Sequence, residues 1–508
     1  MTNASHPTVT EGARCISSLE QQATSAAPSR GYTNTATASG HSCATLPGRP
    51  ACPQESNLGH MPQWEGLGRK NAISVDRTEN LMSNKSVMNE VDAKLPTPLP
   101  VDTPDSVGFS SERLNRLDGA MQTEIDAGHY AGISVMAARH GKLVKFRRYG
   151  YQVLGDSEPL REDAIYRIAS MTKPIIAVAM LTLYEEGKWQ LDDPVIKFIP
   201  EFADLQVLQD GKLVPLDRPM TMRHLMASSA GFAGFGTNPE VVDMYSAAGL
   251  FSGTNDEIIP KLAKLPLASQ PGTEFRYGFQ QEVQGAILRR ITGEQLDTLL
   301  QRQIFAPLGM KDTGFDVAPD QRDRIAPRYA LDGNLKLVLA ADQSPFPTVA
   351  GTPPGVKPKY LLSIAGLYST AQDYMRFAQM LANRGELEGV RLLSPSSVRL
   401  MTTNLLPAGV PVRFTQPFAG VGYGMNVAIV LDPSHADFNG GANGVGTFYW
   451  GGVHGTWFWV DPANDVVVVG MIQQQDGGNQ MTGRPYPVAD VRGISRSITY
   501  GALVDPPL

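Results

Sequence analysis

The sequence predicts an α/β (α+β) fold in which one antiparallel sheet is completed by both ends of the folded region, with a helical insertion between them. Three observations carry this. Near the start, Gly132 to Ala138 and Leu143 to Tyr149 are apolar-rich runs joined by Arg139-His140-Gly141-Lys142, which reads as a hairpin. Near the other end, Gly422 to Leu431, Gly446 to Gly451, Thr456 to Val460 and Asp465 to Ile472 read as antiparallel strands. Between them lie helix-start signals, and no internal repeat is present.

Composition bounds the possibilities. With 508 residues, 42% hydrophobic and 19% charged, the chain can bury a large core, and length alone suggests two to four domains. A net charge of -6 with a pI near 5.8 gives no electrostatic footprint for nucleic acid or an anionic membrane, so neither partner is expected. No run of 18 apolar residues marks a membrane-spanning helix. Met1 to Gly12 has neither a basic nor an apolar signal region, so a cytoplasmic location is expected. Cys15, Cys43 and Cys52 all lie in the first 52 residues, which excludes a catalytic cysteine, a cysteine-ligated metal or a disulfide framework in the remainder.

Residues 1–104 differ from the rest. They hold two aromatic residues, Tyr32 and Trp64, and are rich in Ser, Thr, Ala, Asn, Gly and Pro. Such a stretch buries too little apolar surface to offset its ordering entropy, and a disordered extension is expected, closing in a Pro-rich linker from Leu95 to Pro104. Met82 and Met88 are possible alternative starts. Residues 105–508 are expected to form one domain.

In that domain Ser110-Ser111-Glu112-Arg113-Leu114 opens a helix running to about Gly128, ahead of the hairpin. A second helix starts near Ser170 and ends near Gly187. A third begins at Thr221, and Thr370-Ala371-Gln372-Asp373 is a capping-box-like start for a helix through Leu381. The Ser170 stretch carries chemistry. Ala169-Ser170-Met171-Thr172-Lys173-Pro174 puts a serine and a lysine three apart, on one face of a helical turn, ahead of the apolar run Ile175 to Leu183. A serine hydroxyl is a weak nucleophile until a neighbour takes its proton, and a lysine can do so once burial lowers its pKa from ~10.4. No other serine has lysine at the third position after it.

Five blocks in order now carry a resemblance: Tyr166 to Lys173, Met222-Arg223-His224-Leu225-Met226, Phe275-Arg276-Tyr277, Phe305-Ala306-Pro307-Leu308-Gly309-Met310, and Ile364 to Thr370. Over roughly residues 105 to 480 the chain resembles the serine β-lactamase-like proteins, and within them the family VIII carboxylesterases, which are similar to class C β-lactamases. The resemblance implies a β-lactamase-like fold, an antiparallel sheet flanked by helices with a helical subdomain. It implies Ser170 as acylated nucleophile, Lys173 as the group that helps take and relay its proton, and Tyr277 as the tyrosine exchanging protons with Ser170 and the leaving group. Trp450-Gly451-Gly452-Val453 matches the strand that carries Lys-Thr-Gly in the lactamases, so the N–H groups of Ser170 and Val453 would form an oxyanion hole. The bland alternatives are a core tyrosine at 277 and a strand end whose Trp450 merely packs.

Two departures bear on substrate. The lactamase Tyr-x-Asn is here Tyr277-Gly278-Phe279, and the Lys-Thr-Gly lysine is Trp450. Aromatic residues where the family holds a β-lactam amide and carboxylate imply an uncharged acyl ester and at most weak lactam hydrolysis. Of the other candidates, His454 reads as a loop histidine with a structural hydrogen bond, and His224 as structural. Trp457 and Trp459 alternate with Phe458, so one face of their strand is expected in the core and the other beside the pocket. No Gly-x-Ser-x-Gly and no paired histidine spacing occur, which counts against a nucleophile elbow and a metal site; no cofactor is expected. The expected activity is hydrolysis of small-molecule, short-to-medium acyl esters through an acyl-enzyme. An acyltransferase of the same fold and a non-catalytic penicillin- or peptide-binding module are the alternatives.

Overall fold

The structure, a computed structural model, describes residues 97–505 apart from 235–236, 341–355, 415, 436–442 and 476–487. The expected extension up to residue 96, with its three cysteines and Met82 and Met88, lies outside the described residues. The end of the stretch read as linker is packed: Leu99 is buried, and Leu143 N–H donates to the Pro100 carbonyl at 2.8 Å. The folded region therefore begins before residue 105.

Ser110 caps α1 (Ser111–Leu114) by accepting from Arg113 N–H, and α2 (Arg116–Asp126) follows. The hairpin forms as β1 (Gly132–Arg139) and β2 (Lys142–Gly150), with His140 and Gly141 both at positive φ, 50° and 69°. Left-handed backbone at both central residues matches the twist of the flanking strands and closes the turn in two residues. The C-terminal strands are β3 (Val421–Tyr423), β4 (Ala428–Val430), β5 (Phe448–Gly451), β6 (Trp457–Asp461) and β7 (Val466–Met471). All pair antiparallel in the order β3-β4-β5-β6-β7-β1-β2. Ser134 of β1 faces Met471 of β7, so both ends of the folded region complete one seven-stranded sheet, as the patterning predicts.

One strand expectation is corrected. Gly422 to Leu431 is a hairpin rather than a single strand, because Asn426 sits at φ 60° and turns the chain between Tyr423 and Ala428. The turn was hidden because Met425, Asn426 and Val427 are fully buried, which makes the run look continuous.

The sheet has helices on both faces. Tyr374 of α7 (Ala371–Ala382), a helix capped by Thr370, meets Phe458 at 5.2 Å between ring centroids. Tyr500 of α8 (Val491–Gly501) stacks on Trp459 at 6.4 Å, and α8 packs against α1 and α2. Neighbouring residues on a strand point to opposite faces, so the two helices lie on opposite sides. Neither Trp457 nor Trp459 lines the cavity beside Tyr277 described below, and the expectation of a pocket-facing side for β6 is corrected: all five of its residues are buried. Trp457 lies across Gly470 of β7, where a Cβ would approach its ring to 2.0 Å. Gly470→Ala should therefore cost about 1–3 kcal/mol of stability by overpacking, read as a lower denaturation midpoint.

Between the sheet's two halves in sequence lie α3 (Thr172–Glu185), α4 (Met222–Met226), α5 (Pro239–Ala247) and α6 (Gln280–Thr292). Helix α3 is buried nearly all round, as a helix apolar on every side must be, and it packs against α6. Among the described residues no helix is long and apolar enough to cross a membrane.

Candidate active site

The chain enters α3 through the short strand Tyr166–Arg167 and a 3-10 turn, Ala169–Met171. Ser170 therefore sits just ahead of the α-helix rather than in its first turn, and Ala169 takes φ 45°, an uncommon conformation for a residue with a Cβ. Neighbours on several sides hold this turn. Ile168 N–H donates to the Leu367 carbonyl at 3.1 Å, and the Ile168 carbonyl accepts from Thr456 Oγ1 at 3.2 Å. Tyr374 Oη donates to the Met171 carbonyl at 3.0 Å, and Thr172 Oγ1 accepts from Leu367 N–H at 3.2 Å. A hydroxyl held this way is positioned before any ligand arrives.

Lys173 is fully buried, and its Nζ donates to Ser170 Oγ at 2.8 Å and to the Ile364 carbonyl at 2.7 Å. Burial holds the Lys173 ammonium well below its ordinary pKa, with Glu282 pulling the other way. The amine lies 4.4 Å from the centroid of the Tyr277 ring. The Tyr277 hydroxyl is hydrogen-bonded to Ser170 and receives the indole N–H of Trp450 at 3.2 Å. Burial pushes the Tyr277 phenol up, the two hydrogen bonds opposing it, so it stays protonated near neutrality. Trp450 and Phe414 flank the Tyr277 ring at 5.3 and 5.1 Å. Trp450 thus packs in the core and also touches the site.

Gly451 ends β5 and Gly452 begins the turn after it. A Cβ on Gly452 would meet the Ile168 carbonyl at 2.6 Å, so glycine lets the β5 end press against the Ser170 turn. Val453, next in line, has an exposed side chain. His454 is buried; its carbonyl accepts from Gln474 N–H at 3.0 Å, while its Nδ1 has no hydrogen-bond partner among the described residues. The structural hydrogen bond expected of it is made by its backbone. Burial, then Arg328 and Arg167, lowers the imidazole to about 3, so it is neutral at working pH. His224 has a capping role: its Nδ1 accepts from Thr221 N–H at 3.2 Å while Thr221 Oγ1 accepts from His224 N–H.

Phe279 is the residue before α6 and lines a cavity of about 580 Å³ together with Tyr245, Phe251, Ala233, Tyr277 and Ile364. Its ring lies 5.2 Å from Tyr245 and 5.6 Å from Phe251. Tyr277 and Ile364 join this apolar cavity to the Ser170-Lys173 pair.

Several contributors were not anticipated. Glu282, in the first turn of α6, is buried and accepts from Tyr360 Oη at 2.6 Å and Ile364 N–H at 2.8 Å. Desolvation raises its carboxyl to about 7 against those hydrogen bonds and Lys173. Asn426 Nδ2 donates to the Lys173 carbonyl at 3.1 Å and to Gln284 Oε1 at 2.7 Å. A glutamate is usually solvent-exposed, so no local signal marks Glu282 as buried.

Comparison with known proteins bears on the fold and the family. The β-lactamase family model matches residues 117–492. Protein Rv1367c of Mycobacterium tuberculosis is 34% identical over 374 residues, 70% of this chain and 90% of that protein. Esterase EstB of Burkholderia gladioli is 32% identical over 378 residues, 71% of this chain and 91% of that protein. The structure of EstCE1, described as a hydrolase with promiscuous acyltransferase activity, superposes with a TM-score of 0.63 at 28% identity, covering 77% of this chain and 99% of that one. The family match spans well over half of the chain, and the seven-stranded sheet with its flanking helices agrees with the superposed structure: this chain belongs to the β-lactamase family, with esterase EstB and EstCE1 among its relatives.

Proposed function

We propose that this protein is a serine carboxylesterase that hydrolyses short-to-medium acyl esters through an acyl-enzyme on Ser170. The observation that carries the reading is the 2.8 Å contact between Ser170 Oγ and a fully buried Lys173 Nζ whose pKa burial depresses. Lys173 is then the base. Ser170 Oγ attacks the ester carbonyl carbon and its proton passes to Lys173 Nζ. The oxyanion is received by the backbone N–H groups of Ser170 and Val453, each donor being worth about 10²- to 10³-fold in rate. The close approach of Gly452 to Ile168 supports this pairing. Collapse breaks the ester C–O bond, and the alcohol leaves with a proton from the Tyr277 phenol, which Lys173 replenishes. Water then attacks the acyl carbonyl carbon as its proton passes to Lys173 Nζ, the acyl C–Oγ bond breaks, Ser170 Oγ takes that proton back, and the carboxylic acid leaves.

Substrate class follows from what lines the site. Phe279 lines a largely apolar cavity, and the indole N–H of the buried Trp450 behind Tyr277 is already given to the Tyr277 hydroxyl. A carboxylate brought there would be desolvated with few partners, at a cost of about 1–3 kcal/mol or more per unmet polar group. Wild-type enzyme should therefore hydrolyse p-nitrophenyl butyrate with kcat/KM at least about 10²-fold above that for nitrocefin. Fast nitrocefin cleavage would contradict the ester reading. A second reading, acyl transfer to an alcohol, is favoured by the described activity of EstCE1. Adding a primary alcohol during turnover separates the two, since transfer yields a new ester at the expense of free acid.

A further inference from the structure

We propose that Glu282 is a positioning residue for Lys173: it ties the 360–364 segment to α6, so that the Ile364 carbonyl holds the Lys173 amine against Ser170. The inference rests on the reading of Lys173 as the base. The two side chains grip opposite ends of one residue. Ile364 N–H donates to Glu282 Oε1 at 2.8 Å, and the Ile364 carbonyl accepts from Lys173 Nζ at 2.7 Å. The other carboxylate oxygen accepts from Tyr360 Oη at 2.6 Å, and the Ser363 N–H also donates to Glu282. A carboxylate therefore gathers three donors from a five-residue stretch that has no regular secondary structure of its own.

The backbone approach is built for this contact. One turn along α6, Gly285 faces Ser363, whose Oγ would lie 2.1 Å from a Cβ at that position. Glycine there lets the segment reach the helix. The carboxylate also sits in the first turn of α6, where the helix dipole favours negative charge.

The arrangement acts on charge as well as position. Glu282 is the charged group acting on Lys173, and Lys173 acts back on Glu282. The other titratable groups near the pair are Tyr360 on the opposing segment, Tyr277 ahead of α6, and Arg289 farther along α6, which is paired with Asp256. A negative Glu282 favours the protonated amine. Removing that charge lowers the Lys173 pKa further, so the limb of the rate profile that rises with pH should move to lower pH. The plateau rate should fall because the amine is a weaker base and its carbonyl anchor is loosened.

The test measures ester turnover, and in parallel the rate of covalent inactivation by a fluorophosphonate, from pH 4 to 10 in the range where the fold is intact by circular dichroism. Glu282→Gln should lower kcat and the inactivation rate by about 10- to 100-fold with KM changed less than about twofold, and shift the rising limb to lower pH. Glu282→Asp should restore the limb toward the wild-type position and recover part of the rate. Tyr360→Phe, which removes one donor and leaves the packing, should move both readouts in the same direction by less. A folded Glu282→Gln with wild-type rate and limb overturns the inference. So does a loss of rate with an unmoved limb that Glu282→Asp fails to relieve, since that describes a structural carboxylate only. If wild-type protein itself neither turns over ester nor labels at Ser170, the proposed function fails instead.

Discussion

Ser170→Ala is expected to lower ester turnover by about 10⁴- to 10⁶-fold while leaving the fold intact. The side chain is half-buried at the mouth of the site, and its Oγ is replaceable without leaving a core cavity. The turn that carries it is held by its neighbours, through Ile168, Met171 and Thr172, none of which depends on the Ser170 hydroxyl. Loss of Oγ removes the atom proposed to form the acyl bond, and leaves the proposed oxyanion donors and the cavity in place. Residual hydrolysis therefore reports water attack assisted by binding alone. Labelling by an active-site phosphonate should vanish with turnover, and thermal melting should be nearly unchanged. Turnover within tenfold of wild type in a folded Ser170→Ala protein would place the nucleophile elsewhere.

Lys173→Arg should cost at least about 10³-fold in kcat and, unlike wild type, show no recovery as pH is raised to 10. The reason is proton affinity rather than size. Lys173 is proposed as the base because burial lowers its pKa, which favours the neutral amine able to accept the Ser170 proton. A guanidinium keeps its charge under the same burial and cannot act as base. The sign of the pH dependence follows: activity of the wild type rises with pH as the amine loses its proton, with a midpoint well below that of an ordinary lysine. A guanidinium placed between Ser170, Ile364 and the Tyr277 ring also has more bulk to fit, so folding should be checked by circular dichroism before kinetics are compared. Activity in Lys173→Arg close to wild type, or a wild-type rate that does not respond to pH below 9, would contradict Lys173 as the base.

Some parts of this architecture were plain in the amino-acid sequence and others were not, for reasons that differ residue by residue. The β1-β2 hairpin was legible because apolar runs flank His140-Gly141, a pair suited to left-handed backbone. The antiparallel strands at the other end were legible as apolar runs separated by glycine, aspartate and asparagine. The break at Asn426 was not, since its turn is buried and carries apolar neighbours. Helix α8 was missed because it presents two buried or half-buried arginines, Arg492 and Arg496, where a core-facing stripe would show aliphatic residues.

At the site, the three-residue spacing singled out Ser170 and Lys173 as a candidate pair, and the family-like blocks far apart in the chain added Tyr277 and Trp450 to it. The structure brings these four into hydrogen-bond contact. What spacing cannot show is a backbone carbonyl. Ile364 enters through its C=O and N–H, which any residue would supply, and it matters because the fold delivers it to Lys173 and Glu282 together. Asn426 is similar: its side chain donates to the Lys173 carbonyl from a strand turn 253 positions away. Groups of this kind are found by topology, after the sheet has been closed by its two ends.

The central claim is that acyl transfer passes through Ser170. The measurement that tests it most directly is acid-quenched intact and peptide mass spectrometry of wild-type protein during turnover of p-nitrophenyl butyrate, with Ser170→Ala run alongside. The account predicts a mass increase of one butyryl group, mapped to the peptide containing Ser170 and absent from the variant. Steady ester turnover with no acyl adduct in wild type, or an adduct that persists in Ser170→Ala on another residue, would contradict it.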